Sequence, residues 1–232
     1  MTDAARSQEL SATPPSFACF RAASVPSFDH MVLLVRHAER SAITDIRSQS
    51  AAGLTDQGRS DSVVYGRMLA HRFVDVVVWH SPIPRCRETA DLLIAGASEL
   101  GGTLRIGGAL PWLAGNFIGG NPQWINDQIA ASGHDGFVRQ WFDGRYSQQD
   151  ITPLQECSRF VMSQVRIQLD RPEATVTVDV THDWVLLFLR EAVLGLRHEE
   201  VGIPLYLDSV AVLRQGTRVF ISSVGRSEQL IE

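Results

Sequence analysis

Residues 31–40 read Met31-Val32-Leu33-Leu34-Val35-Arg36-His37-Ala38-Glu39-Arg40. Five consecutive apolar residues suit a short strand buried on both faces. The run stops at Arg36-His37, a cation beside a nucleophile. In an open α/β sheet, ligands collect beyond the carboxyl ends of the strands, so this segment predicts a functional strand end. The pattern recurs twice. Val74–Trp79 is a second strand candidate and runs into His80-Ser81-Pro82-Ile83-Pro84-Arg85. The β-branched stretch Thr175–Val180 runs into Thr181-His182-Asp183.

Helical segments separate these strands. Leu54–His71 opens with Thr55, a natural N-cap, and pairs Val64 with Met68 and Tyr65 with Leu69 at helical spacing. Arg85–Ala95 reads as a helix. Leu154, Cys157, Val161, Val165 and Leu169 mark one apolar helical face, and Trp184–Leu194 is a strongly apolar helix. Thr103–Ile106 is a weak strand. Val210–Arg214 and Arg218–Ser222 flank a Gln-Gly turn as a terminal hairpin. Alternating strands and helices predict a three-layer α/β/α sandwich with a mostly parallel central sheet. Residues 1–29 have no apolar run and are expected to form a flexible leader, partly packed through Phe17, Phe20 and Phe28. Residues 30–232 are expected to form a single domain. The stretch from Leu110 to about Gln149 breaks the rhythm with many aromatics and no clean period. It is expected to be an insertion over one sheet edge, shaping a pocket or forming a satellite core.

Composition narrows the chemistry. The chain has 232 residues, 44% hydrophobic and 20% charged, with a net charge of −5. That balance argues against nucleic acid as a partner, and no apolar stretch is long enough for a membrane span. All 21 basic residues are arginine, so P-loop and Schiff-base lysines are excluded. Anions must be held by guanidinium groups, which grip phosphate bidentately. The three cysteines, Cys19, Cys86 and Cys157, form no disulfide or zinc pattern and suit unpaired thiols in a reducing cytoplasm.

If the three strand ends are neighbours, two histidines and several arginines converge. That set suits phosphoryl transfer. Arg36 and Arg85 can hold the oxygens of a phosphate, an imidazole can attack phosphorus, and a second imidazole can donate to the charge that develops. An acid must still protonate the leaving oxygen. Asp183 is one candidate, with the N-cap of the following helix as its structural alternative. Glu39 is another, though pairing with an arginine is expected of it. A metal site on His37, His182 and Asp183 is the weaker alternative, and no metal or other cofactor is expected.

Four ordered motifs carry a resemblance: Arg36-His37-Ala38, Leu54-Thr55-Asp56-Gln57-Gly58-Arg59, the segment Ser81–Ala90 around Arg85, and Thr181-His182. Together they resemble the histidine phosphatase superfamily, which implies a phosphoglycerate-mutase-like fold. The resemblance implies that His37 becomes phosphorylated, that Arg36, Arg85 and His182 complete the phosphate pocket, and that no metal is used. Ile43 stands where mutases of the family carry an asparagine, and Leu110–Phe117 lacks their glutamate acid. A phosphatase is therefore expected rather than a mutase. The His182-Asp183 pair and Arg40 resemble the acid-phosphatase branch, in which the aspartate is the acid and the second arginine helps hold phosphate. His80 and Trp112 are further candidates for substrate contact.

The expected function is a phosphomonoesterase acting on a small phosphorylated metabolite through a phosphohistidine. The alternatives are a protein phosphohistidine phosphatase, which an open pocket would favour, and an inactive phosphoester-binding module. Oligomeric state is not legible.

Overall fold

A computed structural model describes residues 27–43, 50–115, 117–119, 121–223 and 226–230. The strands are β1 (His30–Arg36), β2 (Val76–His80), β3 (Leu104–Ala109), β4 (Val176–Thr181), β5 (Ser209–Gln215), β6 (Arg218–Ser223) and β7 (Arg226–Leu230). The helices are α1 (Asp56–Arg72), α2 (Pro84–Glu99), α3 (Pro122–Phe142), α4 (Leu154–Asp170), α5 (Asp183–Ala192) and the short α6 (His198–Val201). All strands join one seven-stranded sheet in the order β3-β2-β4-β1-β5-β6-β7. β3, β2, β4 and β1 run parallel, while β5, β6 and β7 extend the sheet antiparallel. The parallel part is the one expected from the alternating pattern. The hairpin adds an antiparallel extension, and β7 brings a polar edge strand that apolar patterning did not reveal.

Alternation along β1 sorts the core. Met31, Leu33 and Val35 pack with Tyr65 and Leu69 of α1 and Cys86, Ala90, Leu93 and Ala97 of α2. Val32 and Leu34 point the other way, into a cluster with residues of α3, α4 and α5. Both faces of β1 are thus covered, which explains its continuous apolar run.

Two glycines let α1 and α2 touch backbone to backbone. A Cβ on Gly66 would lie 2.0 Å from the Leu93 carbonyl oxygen, and one on Gly96 would lie 2.0 Å from that of Val63. Thr55 caps α1, its hydroxyl accepting from the Gly58 amide at 3.0 Å.

The stretch 110–149 is more regular than its sequence suggests. A 3₁₀ turn spans Pro111–Ala114, and α3 follows, capped by Asn121 accepting from the Gln123 amide. Gly133, at φ 72° and ψ 167°, kinks α3. The kink resets the helical phase, so no single period runs through the segment. Several of its aromatics join the main core on that face of the sheet, not a satellite of it, with Phe137 and Trp141 fully buried.

Most of the expected leader lies outside the described residues, Phe17, Phe20 and Cys19 included. At its end, Phe28 packs edge-on against Phe73, and the Asp29 carboxylate accepts from the Gly216 amide. Cys86 and Cys157 are free thiols. Among the described residues, no helix is long and apolar enough to cross a membrane.

Asp179, in the middle of β4, is fully buried. Its one polar partner is Gln168 Nε2 at 3.1 Å, and Oδ2 has none. Burial pushes its carboxyl up to about 7. An unfolded aspartate titrates near about 3.9. Above that value the unfolded chain sheds a proton that the folded chain keeps, so stability falls as pH rises from about 4 to about 7. Asp179→Asn should therefore stabilise the protein at pH 8, by up to about 4 kcal/mol, and change little at pH 4. Urea unfolding at the two pH values checks this, and a variant less stable at pH 8 contradicts it.

Candidate active site

The sheet order makes β4 the neighbour of both β1 and β2, so the three polar strand ends meet. Arg36 pairs in register with Thr181, and His80 with Val180. Just beyond, the His37 amide donates to the Thr181 carbonyl at 2.8 Å, and the Ser81 amide to that of Val180 at 2.9 Å. The imidazoles of His37 and His182 lie 5.4 Å apart, edge to face.

Their hydrogen bonds fix their tautomers. His37 Nδ1 lies 2.8 Å from the Ala38 carbonyl oxygen and donates to it. Nε2 therefore carries a lone pair, and it accepts from Arg85 Nε at 3.0 Å. His182 Nδ1 accepts from Arg85 Nη2 at 3.2 Å, which leaves Nε2–H to donate to Ser81 Oγ at 3.1 Å. Burial, with the neighbouring His182 and Arg85, holds His37 well below the pKa of a free imidazole. Burial and then the Arg85 charge push His182 down to about 3. Both rings are neutral at physiological pH.

Thr89 ties this corner together, accepting from the Ala38 amide at 3.2 Å and donating to the Arg85 carbonyl at 2.8 Å. Gly58 lets α1 approach, because a Cβ there would lie 2.2 Å from the Glu39 carbonyl oxygen. The Glu39 carboxylate accepts from the Thr55 hydroxyl at 2.6 Å, and among the described residues no arginine pairs with it.

Arg36 is not offered to the cavity. Its Nη2 pairs with Asp183 Oδ2 at 2.9 Å, its Nη1 donates to the Pro204 carbonyl, and its guanidinium stacks 4.2 Å from the Tyr206 ring centre. Burial pushes the Asp183 carboxyl upward, but Arg36 and the two histidines outweigh it and hold the carboxyl below its usual range. Asp183 is thus an ionised partner of Arg36 in the resting protein. In the resting protein the expected acid therefore has no proton to give. Asp183 Oδ1 also accepts from the Trp184 amide at 2.9 Å, while His182 is the residue at the N-cap of α5.

A cavity of about 470 Å³ opens over the site, lined by His37, Arg40, Arg85, His182 and Asp183 among others. Of the residues expected to contact substrate, His80 and Trp112 do not line it. His80 is buried at the end of β2, its Nδ1 within 2.9 Å of the Ser81 carbonyl oxygen. Trp112 packs against the apolar core beneath the 3₁₀ turn. The expectation fails for both because the end of β2 buries the His80 ring and Trp112 packs against the core. Arg40 does line the cavity, with Nη1 donating to the Ser41 carbonyl at 2.8 Å and Nε buried without a partner.

Tyr206 and His134 escaped the sequence reading. His134 follows the Gly133 kink and accepts from Trp184 Nε1 at 3.4 Å beside the cavity. Neither residue sits in a recognisable motif. Away from this site, Glu191, His198 and Glu199 cluster closely enough to suggest a cation site. The cation there is Arg139, which pairs with both glutamates.

The family model of the histidine phosphatase superfamily (branch 1) matches residues 32–105. The fold is that of this superfamily. Similar solved structures include the product of an open reading frame of Mycobacterium tuberculosis, at 20% identity and a TM-score of 0.57, covering 85% of this chain and 97% of that one. A mycobacterial glucosyl-3-phosphoglycerate phosphatase aligns at 17% identity and a TM-score of 0.55, covering 79% and 89%. A phosphoglycerate mutase of Bacillus anthracis aligns at 14% identity and a TM-score of 0.56, covering 84% and 92%. These likenesses speak to fold alone. No curated protein matches the sequence.

The neutral, hydrogen-bonded histidines lead to a direct test. In ¹⁵N NMR spectra, His37 should appear as the Nδ1–H tautomer and His182 as Nε2–H, with neither ring titrating between pH 5 and 8. A midpoint above about 6, close to that of a free imidazole, would contradict the assignment.

Proposed function

We propose that the protein is a metal-independent phosphomonoesterase, with His37 as nucleophile and a small phosphorylated metabolite as substrate. The observation that carries this reading is the His37 Nε2 lone pair, held by the Nδ1–H bond to Ala38 and facing an arginine-lined cavity. A neutral imidazole with one fixed tautomer is ready to attack phosphorus.

On substrate binding, the Arg85 N–H groups now bonded to the two histidines turn to the phosphate oxygens, and Arg40 joins them. Ser81 can accept or donate through its hydroxyl. His182 can therefore move its proton to Nδ1 and donate to the phosphate as charge develops. The phosphate monoanion brings one proton. Its negative charge beside Asp183 weakens the hold of Arg36, and the carboxyl takes that proton. Nε2 attacks, the P–O bond to the alcohol breaks, and Asp183 passes the proton to the leaving oxygen. Water then attacks the phosphohistidine. Its proton goes to Asp183, the P–N bond breaks, and the electron pair returns to Nε2.

Phosphatase chemistry is favoured over mutase chemistry by Ile43, which lines the cavity where a mutase would carry an asparagine. The protein phosphohistidine reading is disfavoured because residues of the 110–134 segment close in on the cavity. The free thiols suit a cytoplasmic setting.

Hydrolysis of 4-nitrophenyl phosphate should survive EDTA and fall at least about a thousandfold in His37→Ala. Acid-quenched mass spectrometry of the wild type should show a phosphate on His37. EDTA-sensitive activity, or activity retained by the variant, would sink the proposal. Asp183→Asn should slow alkyl phosphates by about 10²–10⁴. It should cost less than about tenfold for the nitrophenyl ester, whose leaving group needs no proton. Activity should decline above pH 6–7 as the monoanion, with its second pKa near about 6, disappears. Equal losses on both esters would remove Asp183 from the acid role.

A further inference from the structure

The charges and apolar surface of the cavity define more than a phosphate. The guanidinium groups lining it are Arg40 and Arg85, and its carboxylate, Asp183, is matched by Arg36 behind it. Among the described residues, that leaves two positive charges to hold the single phosphate of a monoester. Among the described residues, a second anionic group on the substrate would meet no further arginine of the lining and would stand near Asp183.

Much of the rest of the lining is aliphatic. Ile43, Ile83, Ile118 and Ile129 line the cavity together with Ala114 and Val185. The four isoleucines are half-buried, with part of each side chain left open. They come from four separate segments: the chain after β1, the start of α2, the loop after the 3₁₀ turn, and α3. Asn126, His134 and Trp184 are the further hydrogen-bonding side chains of the lining. An aliphatic wall assembled from four segments around a single-phosphate charge balance selects by apolar contact.

Building on the phosphatase reading, we infer that the preferred substrate is a monophosphate ester of an uncharged, predominantly apolar alcohol, small enough for a cavity of about 470 Å³. Carboxylated phosphoesters and bisphosphates are poor ligands. The preference is set by the isoleucines and is separate from the chemistry at His37.

Non-hydrolysable n-alkylphosphonates, methyl through hexyl, test this by titration calorimetry without turnover. Affinity should rise about fourfold per methylene until the cavity is filled. A carboxylate at the chain end, as in 3-phosphonopropanoate, should weaken binding at least about tenfold against ethylphosphonate. In an Ile118→Ala/Ile129→Ala double variant the gain per methylene should drop to about twofold. Affinity independent of chain length, tighter binding of the carboxylated ligand, or no binding of any phosphonate overturns the inference. The wild-type comparison decides even if the double variant fails to fold. The two readings fail separately. Chain-length-dependent binding with no hydrolysis of hexyl phosphate overturns the phosphatase and leaves the apolar site. Rapid hydrolysis with flat phosphonate affinities does the reverse.

Discussion

The parallel pairing of β1 with β4 is the constraint on which the site depends. The last pair of the ladder is Arg36 with Thr181, and one residue further along each chain stand His37 and His182. Two imidazoles delivered by distant parts of the sequence are thereby held at a fixed separation, in a largely buried corner. That corner keeps them neutral, which is what the proposed roles of nucleophile and switchable donor require. Arg85, at the start of α2 on the neighbouring strand's exit, supplies the charge between them. The buried core beneath, sorted by the alternation of β1, keeps these strand ends from shifting.

A second layer of order lies behind the first. Arg36 is gripped by Asp183, by the Pro204 carbonyl and by the face of Tyr206, and its backbone joins the same strap, with its amide donating to Asp208 and its carbonyl accepting from Leu207. Leu207 takes a φ of 60° to make that turn, a conformation that costs a branched side chain energy. The buried Arg190 holds Asp208 from the far side at 3.0 Å and donates to Ser223. An arginine expected to grip phosphate is therefore a support for the carboxylate, with its charge felt through Asp183.

The sequence made the strand ends legible because apolar runs terminating in charged residues have few structural explanations. β1, β4, α1 and α4 lie where their periodicity places them, to within a residue or two. Arg36, His37, Arg85, His182 and Asp183 do come together. What escaped was governed by tertiary packing. α3 was hidden by the phase shift at Gly133. The inward turn of His80 depends on the packing at the end of β2, and the burial of Trp112 on the core beneath the 3₁₀ turn. Tyr206 stands in a loop whose conformation is set by Arg36 and Arg190, neither of them local to it. The isoleucine wall is assembled from four segments, so no window of sequence contains it.

The strap from Pro204 to Asp208 also separates recognisability from competence. The part of the chain that matches the family ends at residue 105, and it carries Arg36, His37 and Arg85. Yet the second histidine, the carboxylate and the groups that hold Arg36 all come from beyond residue 180. The early half bears the signature, while the late half supplies the rest of the proposed site. Such a protein cannot be assembled from interchangeable modules: its chemistry belongs to the closed sheet as a whole, and a change of partner for either half must preserve the seam between β1 and β4.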